Sequence, residues 1–207
     1  HTPIEGKPEL VERYRKRIKP DSIRKNPHYA AMVYSLDENV GRVLDKLDQL
    51  GIADDTLVVF TSDNGGFVNI CRLNKGLQVA NNTPLRSGKG SCYEGGYRLP
   101  CIVRWPGKVP AGRDSDAVFA TIDFLPTFAN LCGFKAPDDR VVDGIDQTDL
   151  LLGKSEKGRE TFYFDRAGIR KGKWKYLKAK AHFYGYARED DRPVEEELYD
   201  LKNDLGE

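Results

Sequence analysis

The sequence predicts an α/β fold, with helices on a sheet over residues 1–153 and a small antiparallel sheet over residues 154–207. Three observations carry this. A long apolar stripe at helical spacing, Tyr29 to Leu50, runs directly into a short apolar strand signal, "TLVVFTS". That strand signal ends on glycines, and helix, strand and Gly-rich loop in this order is the rhythm of sheets with parallel strands. From about Lys154 the pattern changes: "ETFYFD", "AGIRKGKWKYLKA" and "EEELYDL" alternate aromatic and charged residues around Gly-containing turns, the signature of strands with one wet face.

Composition limits the functions open to the chain. Its 207 residues suffice for one core with a small appendage. Lys and Arg (33) nearly balance Asp and Glu (32), so no net field recruits nucleic acid or an anionic membrane, and any bound anion must be held by local geometry. No apolar run approaches the roughly 20 residues that span a bilayer. The opening "HTPIEGKPEL" carries neither an initiator Met nor a leader pattern, and we read the sequence as a piece of a longer chain. Cys71, Cys92, Cys101 and Cys132 lack metal or disulfide-scaffold spacing and read as free thiols, with one disulfide still open. Compartment and oligomeric state stay open as well.

The elements follow in order. Residues 1–27, rich in proline and charge, read as a surface excursion with a basic helical patch at "ELVERYRKRI". Tyr29, Met32, Val33, Leu36, Val40, Val43, Leu44, Leu47 and Leu50 mark one face of a helix, which Gly51 ends. "TLVVFTS" is then a buried strand, and parallel sheets collect ligands beyond the carboxyl ends of such strands. After a polar loop over residues 67–90 comes a second buried strand, Leu99 to Trp105, closed by Pro106-Gly107. "DAVFATIDFLPTFANLCGF" reads as a strand start followed by a helix with Pro126 in its first turn and Gly133 at its end. The acidic stretch "REDDRPVEEE" reads as a solvated loop between the late strands.

Two places offer chemistry. Asp63 and Asn64, followed by Gly65-Gly66, present a carboxylate and an amide oxygen, hard ligands suited to Ca²⁺ or Mg²⁺. The same letters are good turn chemistry, and from this stretch alone a turn is the simpler reading. Calcium also asks for roughly six to eight oxygens, more than two residues supply. In "TPLRSGKGSCYEGGYRLP", Lys89 lies between two glycines, so an anion can approach the backbone beside its ammonium, with Arg86 and Arg98 near in sequence. The spelling fits neither GxxxxGK[ST] nor GxGxxG, and a solvated lysine in a turn is the commoner meaning of such a loop. Among the histidines, His28 and His182 read as structural, and His1 opens an extended segment before Thr2-Pro3.

Taken together and in order, "TLVVFTSDNGG", "TPLRSGKGSCYEGGYRLPCIVRWPG", "TIDFLPTFANLCG", "DGIDQTDLLLG", "IRKGKWKYL" and "ELYDLKNDLGE" resemble the C-terminal half of the sulfatases, most closely the arylsulfatase branch. The resemblance covers nearly the whole chain. It implies part of an alkaline-phosphatase-like α/β sandwich on a mixed sheet, with a small C-terminal antiparallel-sheet subdomain, and hydrolysis of sulfate esters on a sulfated small molecule or carbohydrate. It also implies that Asp63 and Asn64 are two ligands of a Ca²⁺ ion that grips the sulfate, that Lys89 contacts the sulfate near the leaving oxygen, and that His1 does similar work.

The chain departs from the family pattern in one respect that matters. The family nucleophile is a formylglycine made from a Cys or Ser within CxPxR or SxPxR, and no such pentapeptide occurs here. The paired aspartates that complete the calcium site are missing too, since Asp54-Asp55 precede a strand and Asp138-Asp139 and Asp190-Asp191 lie in polar loops. The expectation is therefore a partial site, with the nucleophile and further ligands in a missing N-terminal part and no activity in the isolated chain. Two rivals remain. A phosphodiesterase or phosphonate hydrolase of the same superfamily would prefer transition metals and His ligands, and no His is near Asp63. A non-catalytic binding module is the other.

Overall fold

The computed structural model describes residues 3–71, 76–181 and 193–207. His1 and His182 lie outside these residues, as does the first half of the acidic stretch that begins at residue 188.

Helix α1 (Pro8–Arg15) packs on α2 (Pro27–Gln49) through Leu10, Val11 and Ala31, flanked by Tyr14 and Tyr34. The start of α2 is fixed by Asn26, whose side-chain oxygen accepts hydrogen bonds from the His28 and Tyr29 amides, with Pro27 at the first helical position. Gly51, at φ +67°, ends the helix where the sequence places it. A short 3₁₀ turn (Ala53–Asp55) leads into β1 (Val58–Thr61). Strands β2 (Ile70–Cys71) and β3 (Leu77–Gln78) pair with each other. They are followed by the four-residue helix α3 (Glu94–Tyr97) and by β4 (Cys101–Arg104).

Strand β4 pairs with β1 antiparallel, Val58 opposite Arg104 and Thr61 opposite Cys101, which corrects the expectation of parallel neighbours here. The connection explains the difference. A parallel pair needs a crossover, usually a helix, and the segment joining β1 to β4 holds only the β2–β3 pair and the single turn of α3 among its described residues. Burial also differs from the expectation for both strands: β1 is only half-buried along its length. Ile102 is 61% exposed, and along α2 Val33, Leu36 and Val43 are about half exposed or more. Periodicity identifies the face that can pack, and among the described residues the main packing partner of α2 is α1.

Residues 116–120, read as a strand start, join no ladder. Val118 nonetheless accepts hydrogen bonds at its carbonyl from the Arg159 amide (2.8 Å) and the Gln147 side chain (3.0 Å). A 3₁₀ turn (Thr121–Asp123), α4 (Phe124–Leu131) and α5 (Thr148–Leu151) follow, with Pro126 in the first turn of α4 and Gly133 beyond its end at φ +76°.

The last strands, β5 (Thr161–Phe164), β6 (Gly168–Lys171), β7 (Trp174–Leu177) and β8 (Glu197–Asp200), form the expected antiparallel sheet in the order β5-β6-β7-β8. Its inner face supplies Phe164 and Leu177 to a core completed by Cys92, Tyr93, Ala167 and Ala181, with Tyr97, Phe162 and Tyr199 around it. Tyr97 meets Phe164 edge to face at 4.9 Å. The core therefore fastens the late sheet to the segment that follows Lys89.

Candidate functional site

The site grows from the carboxyl end of β1. Thr61 donates its hydroxyl to the Pro100 carbonyl (2.9 Å), holding the strand end against the approach to β4. Ser62 donates to the Asn64 carbonyl (3.0 Å), and the Asn64 amide nitrogen donates to the Gly65 carbonyl (3.0 Å). The turn reading is thus correct as local structure. It leaves the Asp63 carboxylate exposed, on the wall of a cleft of about 360 Å³ that also carries Tyr97, Arg98, Phe119, Phe162 and Arg170.

Glycines decide how closely the next segments approach. The Gly65 amide donates to the Gly96 carbonyl (2.9 Å), and a Cβ on Gly65 would lie 1.8 Å from the Gly95 carbonyl oxygen. The Lys89 amide donates to the Gly66 carbonyl (3.0 Å), and a Cβ on Gly88 would lie 2.3 Å from that same oxygen. A side chain on Gly95 would sit 2.3 Å from the Arg86 and Ser87 oxygens. Backbone meets backbone at each point, so no rotamer change makes room. The turn with Asp63 and Asn64 and the loop with Lys89, distant as letters, form one interlocked unit.

Asn82 sits at the centre of that unit. Its amide nitrogen donates to the carbonyls of Gly66 (3.1 Å), Ser87 (3.0 Å) and Gly95 (3.1 Å), one from each segment. The sequence shows it only as part of a polar loop without a signature, because an asparagine inside a long loop has too many possible partners to choose from.

The two arginines near Lys89 in sequence each have partners of their own. Arg86 stacks 3.9 Å above the Tyr93 ring and donates to the Tyr199 hydroxyl (2.9 Å), while Tyr93 donates to Glu197 (2.8 Å). Burial, followed by the neighbouring Glu197, pushes the Tyr199 hydroxyl up to about 12. Arg98 donates to Glu94 (3.0 Å), which is buried. The other Glu94 oxygen accepts from Lys175 (3.0 Å), itself fully buried, and Lys175 also lies 2.6 Å from Glu207. Burial alone would raise the Glu94 carboxyl; Lys175 and Arg98 outweigh it and hold Glu94 below the ordinary carboxylate range. Lys175 is equally illegible in the sequence, since its strand reads as alternating and a lysine there belongs on the wet face.

Among the described residues no group of three or more His, Cys, Asp or Glu could hold a metal. The donor set at Asp63 and Asn64 does fit a share of a hard cation's shell. One carboxylate is open to solvent, and the amide that donates through its nitrogen keeps an oxygen to offer. Cys92, Cys101 and Cys132 are free thiols, as expected, and burial raises the Cys92 thiol to about 11.

Residues 1–134 match the family described as Sulfatase, and residues 88–207 match the family described as N-sulphoglucosamine sulphohydrolase, C-terminal. The chain belongs to the sulfatase family. The sulfatase match holds both Asp63-Asn64 and Lys89, and the second begins at Gly88. Among curated relatives, the chain is 42% identical to the steryl-sulfatase of Mus musculus over 136 residues, which are 66% of this chain and 22% of that protein. It is 34% identical to a sulfatase of Formosa agariphila across 100% of this chain and 39% of that protein. The sulfatase chain thus spans well under half the length of these relatives. Among solved structures, Ps i-CgsB in complex with k-i-k-neocarrahexaose superposes with a TM-score of 0.76 at 31% identity, covering 99% of this chain and 42% of that one. The fold is accordingly that of the sulfatases, an alkaline-phosphatase-like α/β architecture with a small four-stranded antiparallel sheet.

Proposed function

We propose that this chain is the C-terminal part of an enzyme that hydrolyses a sulfate ester to an alcohol and inorganic sulfate, with Asp63, Asn64 and Lys89 in the site. The observation that carries the reading is the lock between the Asp63-Asn64 turn and the Lys89 loop, made by the Lys89 amide on the Gly66 carbonyl. A plain surface turn has no need to be pinned, through glycines, to a second loop presenting a cation.

In this reading Asp63 and Asn64 hold two positions of a calcium shell, the others coming from chain outside this sequence. When bound, the ion would supply fixed positive charge to the site. Lys89 places its ammonium where charge develops near the leaving oxygen, and the rigid backbone behind it means little reorganisation as the S–O bond breaks. His1, outside the described residues, would assist departure of the alcohol. The nucleophile implied by the resemblance, a formylglycine, would also come from outside this sequence. Sulfated carbohydrate is the substrate class we favour, because one relative of known structure was solved with a neocarrahexaose and another with D-glucosamine-2-N,6-O-disulfate.

The test is made in the intact enzyme. Lys89→Ala should keep the metal and the fold while turnover of an aryl sulfate drops by a factor on the order of 10² to 10³. Asp63→Ala should lose metal along with activity. The isolated chain should bind Ca²⁺ weakly in calorimetry and hydrolyse nothing. Wild-type turnover in Lys89→Ala, or turnover by the isolated chain, would end this assignment.

A further inference from the structure

We infer that Asn82 is a positioning residue for this site, setting the geometry of Lys89 relative to Asp63 and Asn64 without touching substrate. The inference rests on the sulfate-ester reading for its activity arm only. Three carbonyl oxygens, from Gly66, Ser87 and Gly95, converge on the one Asn82 amide nitrogen at 3.0 to 3.1 Å. Without a donor between them, like-charged dipole ends would face each other in a partly enclosed space, and the segments would move apart.

Each carbonyl marks a different part of the site. Gly66 lies two residues after Asn64, and its oxygen also accepts from the Lys89 amide (3.0 Å). Ser87 lies two residues before Lys89 and holds a left-handed φ of 59°, a conformation a serine keeps only when its surroundings fix it. Gly95 lies in α3, and its amide donates back to the Arg86 carbonyl (2.9 Å). Asn82 thus ties the metal-side turn, the lysine loop and the turn behind them at one atom. A side-chain amide is uncharged and has two hydrogens to share among three acceptors. Aspartate, the same size, would instead present oxygen to oxygen.

The experiment uses the intact enzyme with Asn82→Ala, Asn82→Asp and Asn82→Ser. Two quantities are read: steady-state hydrolysis of an aryl sulfate, and amide hydrogen exchange at Gly65, Lys89 and, as a reference in the late sheet, Tyr176. The expected result is a kcat lower by about tenfold or more with KM changed far less, since a small misplacement of reacting groups acts on the chemical step. Asn82→Asp should be worse than Asn82→Ala, and Asn82→Ser, keeping one donor, should be milder than either. Exchange should quicken at Gly65 and Lys89 and stay unchanged at Tyr176. If the aspartate variant fails to fold, the serine variant gives the same two readouts. Normal kcat per folded molecule in the alanine variant, or exchange that quickens equally at Tyr176, would overturn the inference. An intact wild-type enzyme that hydrolyses no sulfate ester would sink the functional reading instead, and the exchange comparison would still decide whether Asn82 positions Lys89.

Discussion

Asp123 shows what a single buried carboxylate does in this chain. It is fully buried and accepts from the Ala120 amide (2.9 Å), the Ile145 amide (2.9 Å), the Gln147 side chain (3.1 Å) and Arg159. Burial by itself would raise its carboxyl, but Arg159, the two backbone amides and Gln147 outweigh burial and hold it below the ordinary aspartate range. The sign of the pH dependence follows. With the folded value depressed, the stabilisation is complete above the unfolded aspartate value of about 3.9 and is lost as pH falls through the folded one. We expect Asp123→Asn to flatten the acid side of the melting profile, and to destabilise the protein at neutral pH by about 3–5 kcal/mol by leaving Arg159 without its partner. Thermal unfolding of wild type and variant between neutral pH and pH ~3 measures both, and parallel profiles would contradict the account.

At the scale of elements, legibility depends on how local the cause is. Helix α2 is readable to within a few residues because its stripe and its terminal glycine are written within the helix or at its end. The pairing of β1 with β4 is not, because strand direction depends on the connection, and a loop holding two short strands and one helical turn leaves no sequence signal of its own. Asp63, Asn64 and Lys89 stand out through their glycine neighbours, whereas Asn82 and Glu94 act through carbonyls and charges contributed by distant segments. The glycines also differ in what they do. A methyl on Gly65 would meet the Gly95 carbonyl at 1.8 Å, whereas one on Gly107, at φ +72°, would meet nothing within 4 Å. Gly107→Ala should therefore cost about 1 kcal/mol, the strain of a left-handed residue. Gly65→Ala should cost more than that, because two backbones must separate, and should reduce turnover as well. Denaturant melts of the two variants would show equal losses if the close approach were of no consequence.

Across the whole molecule, one rung of the late sheet grips the chain on both sides of Lys89. Arg170, Lys175 and Tyr199 are register partners on β6, β7 and β8. Arg170 lies 3.9 Å from Glu94, Lys175 bonds Glu94 at 3.0 Å, and Tyr199 accepts from Arg86 at 2.9 Å. Glu94 begins α3, and α3 supplies the Gly96 carbonyl that holds Gly65, so the sheet is joined to the turn of Asp63 and Asn64 through a short chain of bonds. Removing Lys175 alone should be severe, since Glu94 and Glu207 would face each other buried without it; breaking a buried pair costs about 3–5 kcal/mol. Lys175→Met should therefore lower the unfolding midpoint of the intact protein far more than Lys178→Met, where the lysine is exposed just beyond the end of β7. The double variant Lys175→Met with Glu207→Gln should recover part of the loss, because Glu94 keeps Arg98 while Glu207 has Lys175 as its cation, and the change leaves an uncharged amide where the unpaired carboxylate would stand. Additive losses in the double variant, or a Lys175→Met midpoint equal to that of Lys178→Met, would show that the sheet is held by its aromatic core alone and that the charge pair contributes nothing to the connection.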